Sequence, residues 1–420
     1  MTMMFDDNRP CILVYNPISG HGHLDSWNAM FVGFLLGRGW RVLALTPKPA
    51  DLQERLSGKA LADLAGLQIL PWDIPRRSVA YRLWQRLVRI AGGWCAGLRQ
   101  PSQDAHSADP EANYLEPVEF AQRIRSGLQH TKWQPEFIFN MYMDLYRTDA
   151  KRWAQFQSLN TLPWAGIRFV PAVSPKEAYY AIPSLSGMCF LDETICTDYT
   201  QRLCTKRFAY LPDITDTALP DTSCELVREI KQRARGRKIV FMGGAIGGNK
   251  NLARWYELIE LANPDEWYFL QIGAVNVASL SAQDQRARDK VLRSTPENLF
   301  IKEAYLPDEK TFNDVIRASD VVFAVYRNFT ISSNMPGKAA AFDTPILVAE
   351  EHLMGKRVTQ FGIGRTVPQD NVQMMLAGLS DLSEHPVAPE HFQAYRDAFS
   401  TQSLQRNFFR FLDQCRGLIA

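Results

Sequence analysis

Short apolar runs, each bounded by glycine, proline or a polar cluster, recur along most of the chain. Between them lie longer segments in which apolar residues return every three or four positions. The chain opens with the run Cys11–Tyr15, a loop from Asn16 to His23, and a helical segment from about Asp25 to Leu36 carrying Trp27, Met30, Phe31 and Phe34. Gly37 and Gly39 stop that helix. Further strands are expected at 40–45, 67–70, 137–141, 164–170 and 187–191. A turn-rich connector runs from Leu211 to Asp221, and the rhythm then restarts. Strands are expected at 238–242, 267–272, 298–301, 320–325, 345–349 and 363–367, with helical segments between most of them. The tail from His391 to Leu418 reads as amphipathic helix through Phe392, Tyr395, Phe399, Leu404, Phe408, Phe409 and Leu412. Strand–helix alternation of this kind predicts a parallel α/β architecture.

The chain has 420 residues, too many for one ordinary core, and the restart divides it. The expected organisation is an N-terminal domain 1–212 with a helical insertion at about 74–132, a linker 213–235, a second domain 236–390 and a terminal helix 391–420. Net charge is +2, so no general attraction to nucleic acid follows. Seven cysteines without regular spacing predict reduced thiols, no structural metal and a cytoplasmic location. Residues Met1 to Pro10 lack the apolar core of a signal peptide, and no uncharged apolar run approaches the about 20 residues of a membrane span.

Three glycine- or hydroxyl-rich loops follow strands. Gly243, Gly244, Gly247 and Gly248 precede Asn249 and Lys250. Glycines let a ligand approach the backbone, a helix N-terminus near Asn251 favours an anion, and Lys250 adds a full positive charge, a combination that suits a diphosphate. A plain tight turn between strand and helix is the structural alternative. Ser332, Ser333 and Asn334 precede Gly337 and Lys338 in a second loop of the same half, where simple helix capping is the alternative. In the first half, Ser19, Gly20, His21, Gly22 and His23 form an acceptor-binding candidate, with either histidine able to accept a proton. Asp144, just past an apolar run, is a third candidate base, against the alternative of a surface cap. Six arginines lie between Asp73 and Asp104 with no acid among them. Arg82, Arg86 and Arg89 share one helical face, while Val79, Leu83, Leu87, Ile90 and Trp94 share another. That arrangement suits either a membrane surface or ordinary packing of a surface helix.

With these residues in view, the chain resembles GT-B glycosyltransferases, and its second half resembles the family 4 group. The Asn249-Lys250-Asn251 turn and the segment from Ala318-Ser-Asp320 through Lys338 to Pro345-Ile346 carry that likeness. The resemblance implies two Rossmann-like doubly wound domains with a C-terminal helix crossing back to the first. It also implies a nucleotide-sugar donor, UDP- or GDP-linked, whose diphosphate Lys250 holds without metal or other cofactor; Gly243, Gly244, Asn249, Tyr305, Ser332, Ser333, Asn334 and Lys338 are the further candidate donor contacts, and these would bind the donor in another way than the family does. The implied activity is sugar transfer to a glycan or lipid-linked acceptor, in cell-surface or exopolysaccharide assembly, in the cytoplasm or at the inner face of the membrane. The family pattern is incomplete here. Its two glutamates fall at Thr330 and Lys338, and the arginine partnering its lysine falls at Ala245. A noncatalytic GT-B-like binding or scaffold protein is therefore a rival reading. So is a lipid-kinase-like phosphotransferase, suggested by Asn16-Pro-Ile-Ser-Gly20 but lacking the Gly-Gly-Asp-Gly-Thr loop of such enzymes.

Overall fold

The computed structural model describes residues 9–20, 24–57, 64–72, 115–172 and 174–417. The chain divides into two compact units, Met1–Tyr210 with Asn407–Ala420, and Leu211–Arg406.

The first unit holds a seven-stranded parallel sheet in the order β3-β2-β1-β4-β5-β6-β7. Its strands are β1 Cys11–Tyr15, β2 Arg41–Leu45, β3 Leu67–Ile69, β4 Phe137–Asn140, β5 Trp164–Arg168, β6 Leu185–Phe190 and β7 Arg207–Tyr210. Buried on both faces, the central strands read as continuous apolar runs rather than alternating ones. An aromatic cluster forms much of the core: Trp153 stacks on Trp164 at 5.6 Å, and Phe120 meets both Phe156 and Trp164. Strand β7 is absent from the sequence expectation. At the sheet edge, Arg-Phe-Ala-Tyr is only half-buried along its length, so it lacks the apolar run that marks an inner strand.

The second unit holds a six-stranded parallel sheet in the order β10-β9-β8-β11-β12-β13. Its strands are β8 Lys238–Gly243, β9 Trp267–Ile272, β10 Leu299–Lys302, β11 Val321–Ala324, β12 Ile346–Ala349 and β13 Gly364–Val367. Trp255, on the helix Leu252–Leu261, packs edge-on to Phe269 and tilted against Phe323. The segment expected as a linker carries the helix Glu225–Ala234, which lies within the second unit. Its approach is fixed by the helix Glu309–Arg317, where Asp314 accepts from the Cys224 amide and Asn313 donates to the carbonyls of Asp216 and Ala218.

The tail is two helices, Pro389–Ala398 and Thr401–Arg416, rather than one. Ser400 interrupts it by accepting the Ser403 amide on its hydroxyl, a local cap that competes with helix continuation. From Asn407 onward the last helix belongs to the first unit. There Phe408 lies 4.5 Å from Phe31 and 4.9 Å from Phe139 between ring centroids.

In each sheet the strand order reverses once, between β1 and β4 and between β8 and β11. Open α/β sheets bind ligands beyond the carboxyl ends of their strands at such reversals.

Candidate functional site

In the second unit the loop after β8 leads through a short 3-10 turn, Gly248–Lys250, into the helix Leu252–Leu261. Its glycines have different reasons to be glycine. A Cβ on Gly248 would lie 2.4 Å from the Ser279 carbonyl oxygen, and one on Gly247 would lie 3.0 Å from the Ser279 hydroxyl. Both therefore allow the loop after β9 to pack closely. Gly273 completes that contact, since its Cβ would fall 1.8 Å from the Gly244 carbonyl oxygen. Gly244 differs: its φ is +90° and nothing lies within 4 Å of where its Cβ would point. It is the position in this loop at which the missing side chain leaves room.

Lys250 is buried, 7% exposed. Its ammonium donates to the Gly243 carbonyl (3.2 Å) and the Tyr326 hydroxyl (2.5 Å), and lies 3.8 Å from the Tyr326 ring centroid. Among the described residues no carboxylate pairs with it. Burial without a counter-charge pushes its pKa down to about 7. Tyr326, just past β11, also lies close enough to the Ser333 hydroxyl for that group to oppose the effect of burial on the phenol. The two loops singled out in the sequence thus meet through a tyrosine that the sequence reading missed. Only its place one residue beyond the apolar run 321–325 could have flagged it.

The helix N-terminus beside this loop differs from expectation. The Ala253 amide donates to Asp284 Oδ1 (3.0 Å), and the fully buried Asp284 also accepts from the Ser281 hydroxyl (2.6 Å) and from Arg327 (2.5 Å). A protein carboxylate thus already accepts from the helix N-terminus at which the sequence suggested an anion. Burial opposes its charge, but these bonds outweigh burial and hold the carboxyl below its ordinary range. Arg327 donates in addition to the Gly248 carbonyl, and its own amide bonds the Asn249 carbonyl, so it fixes the 3-10 turn. Asn251 takes a left-handed conformation at φ 57°, and its side-chain amide donates to the Gln369 carbonyl (2.7 Å).

In the second loop, the Ser332 hydroxyl donates to Asp213 (3.0 Å) and accepts from buried Arg357 (2.8 Å). Ser333 accepts the Met335 amide, while Asn334 is exposed and makes no side-chain cap. The Lys338 ammonium is buried on Glu309 (2.6 Å) and Asn313 (2.7 Å), and so holds two helices together. That engagement explains the lysine by packing. Tyr305 follows β10 and is 71% exposed.

In the first unit, Gly20 has φ +81° and its amide donates to Asp25 (2.7 Å). The Ser19 hydroxyl lies 3.5 Å from that of Thr46. A Cβ on Gly20 would lie 3.1 Å from the Lys48 ammonium. Asp144 accepts the amides of Phe169 (2.9 Å) and Val170 (2.6 Å), with the Arg168 guanidinium 3.9 Å away. Burial nonetheless raises its pKa above the usual carboxylate value, against those bonds and that charge. His21, Gly22, His23, Arg82, Arg86 and Arg89 lie outside the described residues. Among the described residues no helix is long and apolar enough to cross a membrane, and no group of three or more histidine, cysteine or acidic side chains is placed to hold a metal.

Two parallel doubly wound sheets, each with one reversal of strand order, define the GT-B class of fold, and this chain has it. Solved structures match it over nearly its whole length. A glycosyltransferase from Rickettsia africae ESF-5 is 10% identical, with 98% of this chain and 99% of that one covered at a TM-score of 0.62. The α,α-trehalose 6-phosphate synthase of Burkholderia multivorans is 14% identical, with 98% and 99% covered at 0.60. Anabaena HepE, solved in complex with UDP and glucose, is 11% identical, with 96% and 100% covered at 0.57. No protein-family model matches the chain, and no curated protein matches it in sequence.

Proposed function

We propose that this protein is a glycosyltransferase that moves a sugar from a UDP- or GDP-sugar to a glycan or lipid-linked acceptor, in the assembly of surface or exported polysaccharide. The observation that carries the reading is Lys250, a buried cation with neutral neighbours at the strand reversal between β8 and β11, beside the open backbone of Gly244. A diphosphate supplies the charge this cation lacks. In transfer, the same lysine stabilises the charge that develops on the leaving nucleotide. Fold neighbours that include a UDP-bound structure support a nucleotide donor.

Ser333, Asn334 and Tyr305 are the remaining donor contacts, with Gly243 and Asn249 shaping the loop. Ser332 acts from behind through Asp213 and Arg357. Lys338 is left out because its ammonium already has partners. The acceptor lies over Ser19, Gly20 and Gly22, and His21, His23 or Asp144 takes its proton. Attachment to a membrane surface through Arg82, Arg86 and Arg89 rests on sequence alone.

The test is a thermal-shift screen against UDP-, GDP-, ADP- and TDP-sugars, followed by calorimetry on the best donor with wild type and Lys250→Ala. Equal affinity for the two proteins would remove the basis of the assignment. A noncatalytic sugar-nucleotide-binding protein is the second reading, favoured by Thr330 and Lys338 where the family carries glutamates. Donor binding with neither transfer nor hydrolysis over a panel of acceptors would select it.

A further inference from the structure

We propose that the donor diphosphate enters the β8 loop together with a proton, which Lys250 takes up from solvent as the anion arrives. This rests on the donor reading above and adds a pH dependence to it. The geometry is that of an enclosed ammonium whose contacts are a carbonyl, a phenol hydroxyl and an aromatic face.

The charged groups on the elements around it are engaged with one another. Arg327, next to Tyr326, is turned onto Asp284 and the Gly248 carbonyl. On the following helix, Arg254 pairs with Glu257 toward the surface. Beyond Ser333, Lys338 pairs with Glu309. Tyr326 itself is driven above the ordinary phenol range by burial, so it stays neutral. The glycine loop itself carries no titratable side chain besides Lys250.

An enclosed ammonium without an anion is costly, and the protein relieves that cost by releasing the proton. Burial places this release at about pH 7 in the empty site. An adjacent diphosphate favours the charged amine and moves the release to higher pH. Linkage then fixes the form of the dependence. Donor affinity is level below about pH 7, weakens about fivefold between pH 7 and 8, and approaches tenfold per unit beyond, until the pKa of the occupied site is reached.

The experiment is calorimetry on the full chain at about pH 8, with UDP-glucose and, in parallel, GDP-mannose. The diphosphate diesters of these probes do not titrate near neutrality. Each titration is run in HEPES and in Tris, whose heats of ionisation differ. The expected result is uptake of close to one proton per donor bound, and a Kd that rises with pH as above. Lys250→Met binds more weakly and without proton uptake. Tyr326→Phe removes the hydroxyl that accepts from the ammonium, so the pH at which affinity begins to fall moves down. A tyrosine with only a structural role would leave that pH unmoved. Donor binding with equal heats in the two buffers overturns the proton linkage and leaves the donor reading standing. Absence of binding by either probe overturns both. Should Lys250→Met not fold, the wild-type buffer comparison and Tyr326→Phe decide the matter between them.

Discussion

The Asp284 carboxylate accepts the Ala253 amide at 3.0 Å, at the start of the helix that follows the glycine loop. A helix N-terminus carries a partial positive charge that favours an anion, and here the protein supplies one of its own. For the donor proposed above, the loop then offers the Lys250 ammonium and the open face of Gly244.

Asp284 is therefore expected to act mainly on stability. Asp284→Ala removes the partner of Arg327 and the caps on Ala253 and Ser281, and breaking such a buried pair costs about 3 kcal/mol. The check is urea unfolding at neutral pH. The native pKa of this carboxyl is depressed, so its contribution is present above the unfolded value near 4 and is lost as pH falls through the native one. The difference between wild type and variant should accordingly narrow in acid.

Lys250 has the opposite signature. Its native pKa is about 7, well below the ordinary lysine value. Between pH 7 and about 10.5 the unfolded chain binds the extra proton, so stability rises with pH across that window and is lowest below it. The expected slope is at most about 1.4 kcal/mol per pH unit. Lys250→Met, of similar size and uncharged, should lose this slope and be more stable than wild type at about pH 6. Denaturant midpoints measured from pH 6 to 9 give the answer.

Two glycines should separate by phenotype. In Gly273→Ala the new Cβ meets the Gly244 carbonyl oxygen, and about 3 kcal/mol or more of stability is lost. In Gly244→Ala the space is open and the cost is the left-handed backbone alone, about 1–2 kcal/mol. The methyl group then stands where the diphosphate backbone contact is proposed. Donor Kd should rise about tenfold or more while the fold persists, a loss of about 1.4 kcal/mol in binding. Parallel melting and calorimetry distinguish the two.

Asp144→Asn tests the base. An asparagine side chain has one carbonyl oxygen, so one of the amides of Phe169 and Val170 loses its acceptor, at a cost of about 1–3 kcal/mol. A catalytic base shows in addition a fall in kcat of about 100-fold or more at temperatures where the variant is folded. A fall no larger than the folded fraction explains would assign Asp144 to the turn alone.

Lys338→Met should leave Asn313 without a partner for its buried side-chain oxygen and cost about 1–2 kcal/mol. Donor affinity should not change, because that ammonium is already held by Glu309 and Asn313. A drop in affinity without a drop in melting temperature would return the residue to the donor site.

The parallel α/β rhythm was legible in sequence because buried central strands are short apolar runs between glycine-rich turns, and such patterning is local. Arg207–Tyr210 escaped because an edge strand is half wet and its pattern ambiguous. The single tail helix was over-extended for a related reason: apolar periodicity continues through Phe399 and Ser400, and only the local cap at Ser400 breaks it. The candidate loops were legible as glycine and hydroxyl clusters following strands. Which of their groups are committed elsewhere was not.

Sequence alone determined that these residues make two sets of alternating strands and helices, with Lys250 at a loop after a strand. The tertiary structure decided what each charge means. Lys250 meets Tyr326, far along the chain, and among the described residues pairs with no carboxylate, whereas Lys338 meets Glu309 and is neutralised. The two lysines look equally available in sequence, each beside a glycine-containing turn. Their difference arises because the energy of a charge depends on its distance to other charges and to water, and folding sets those distances between residues remote in the chain.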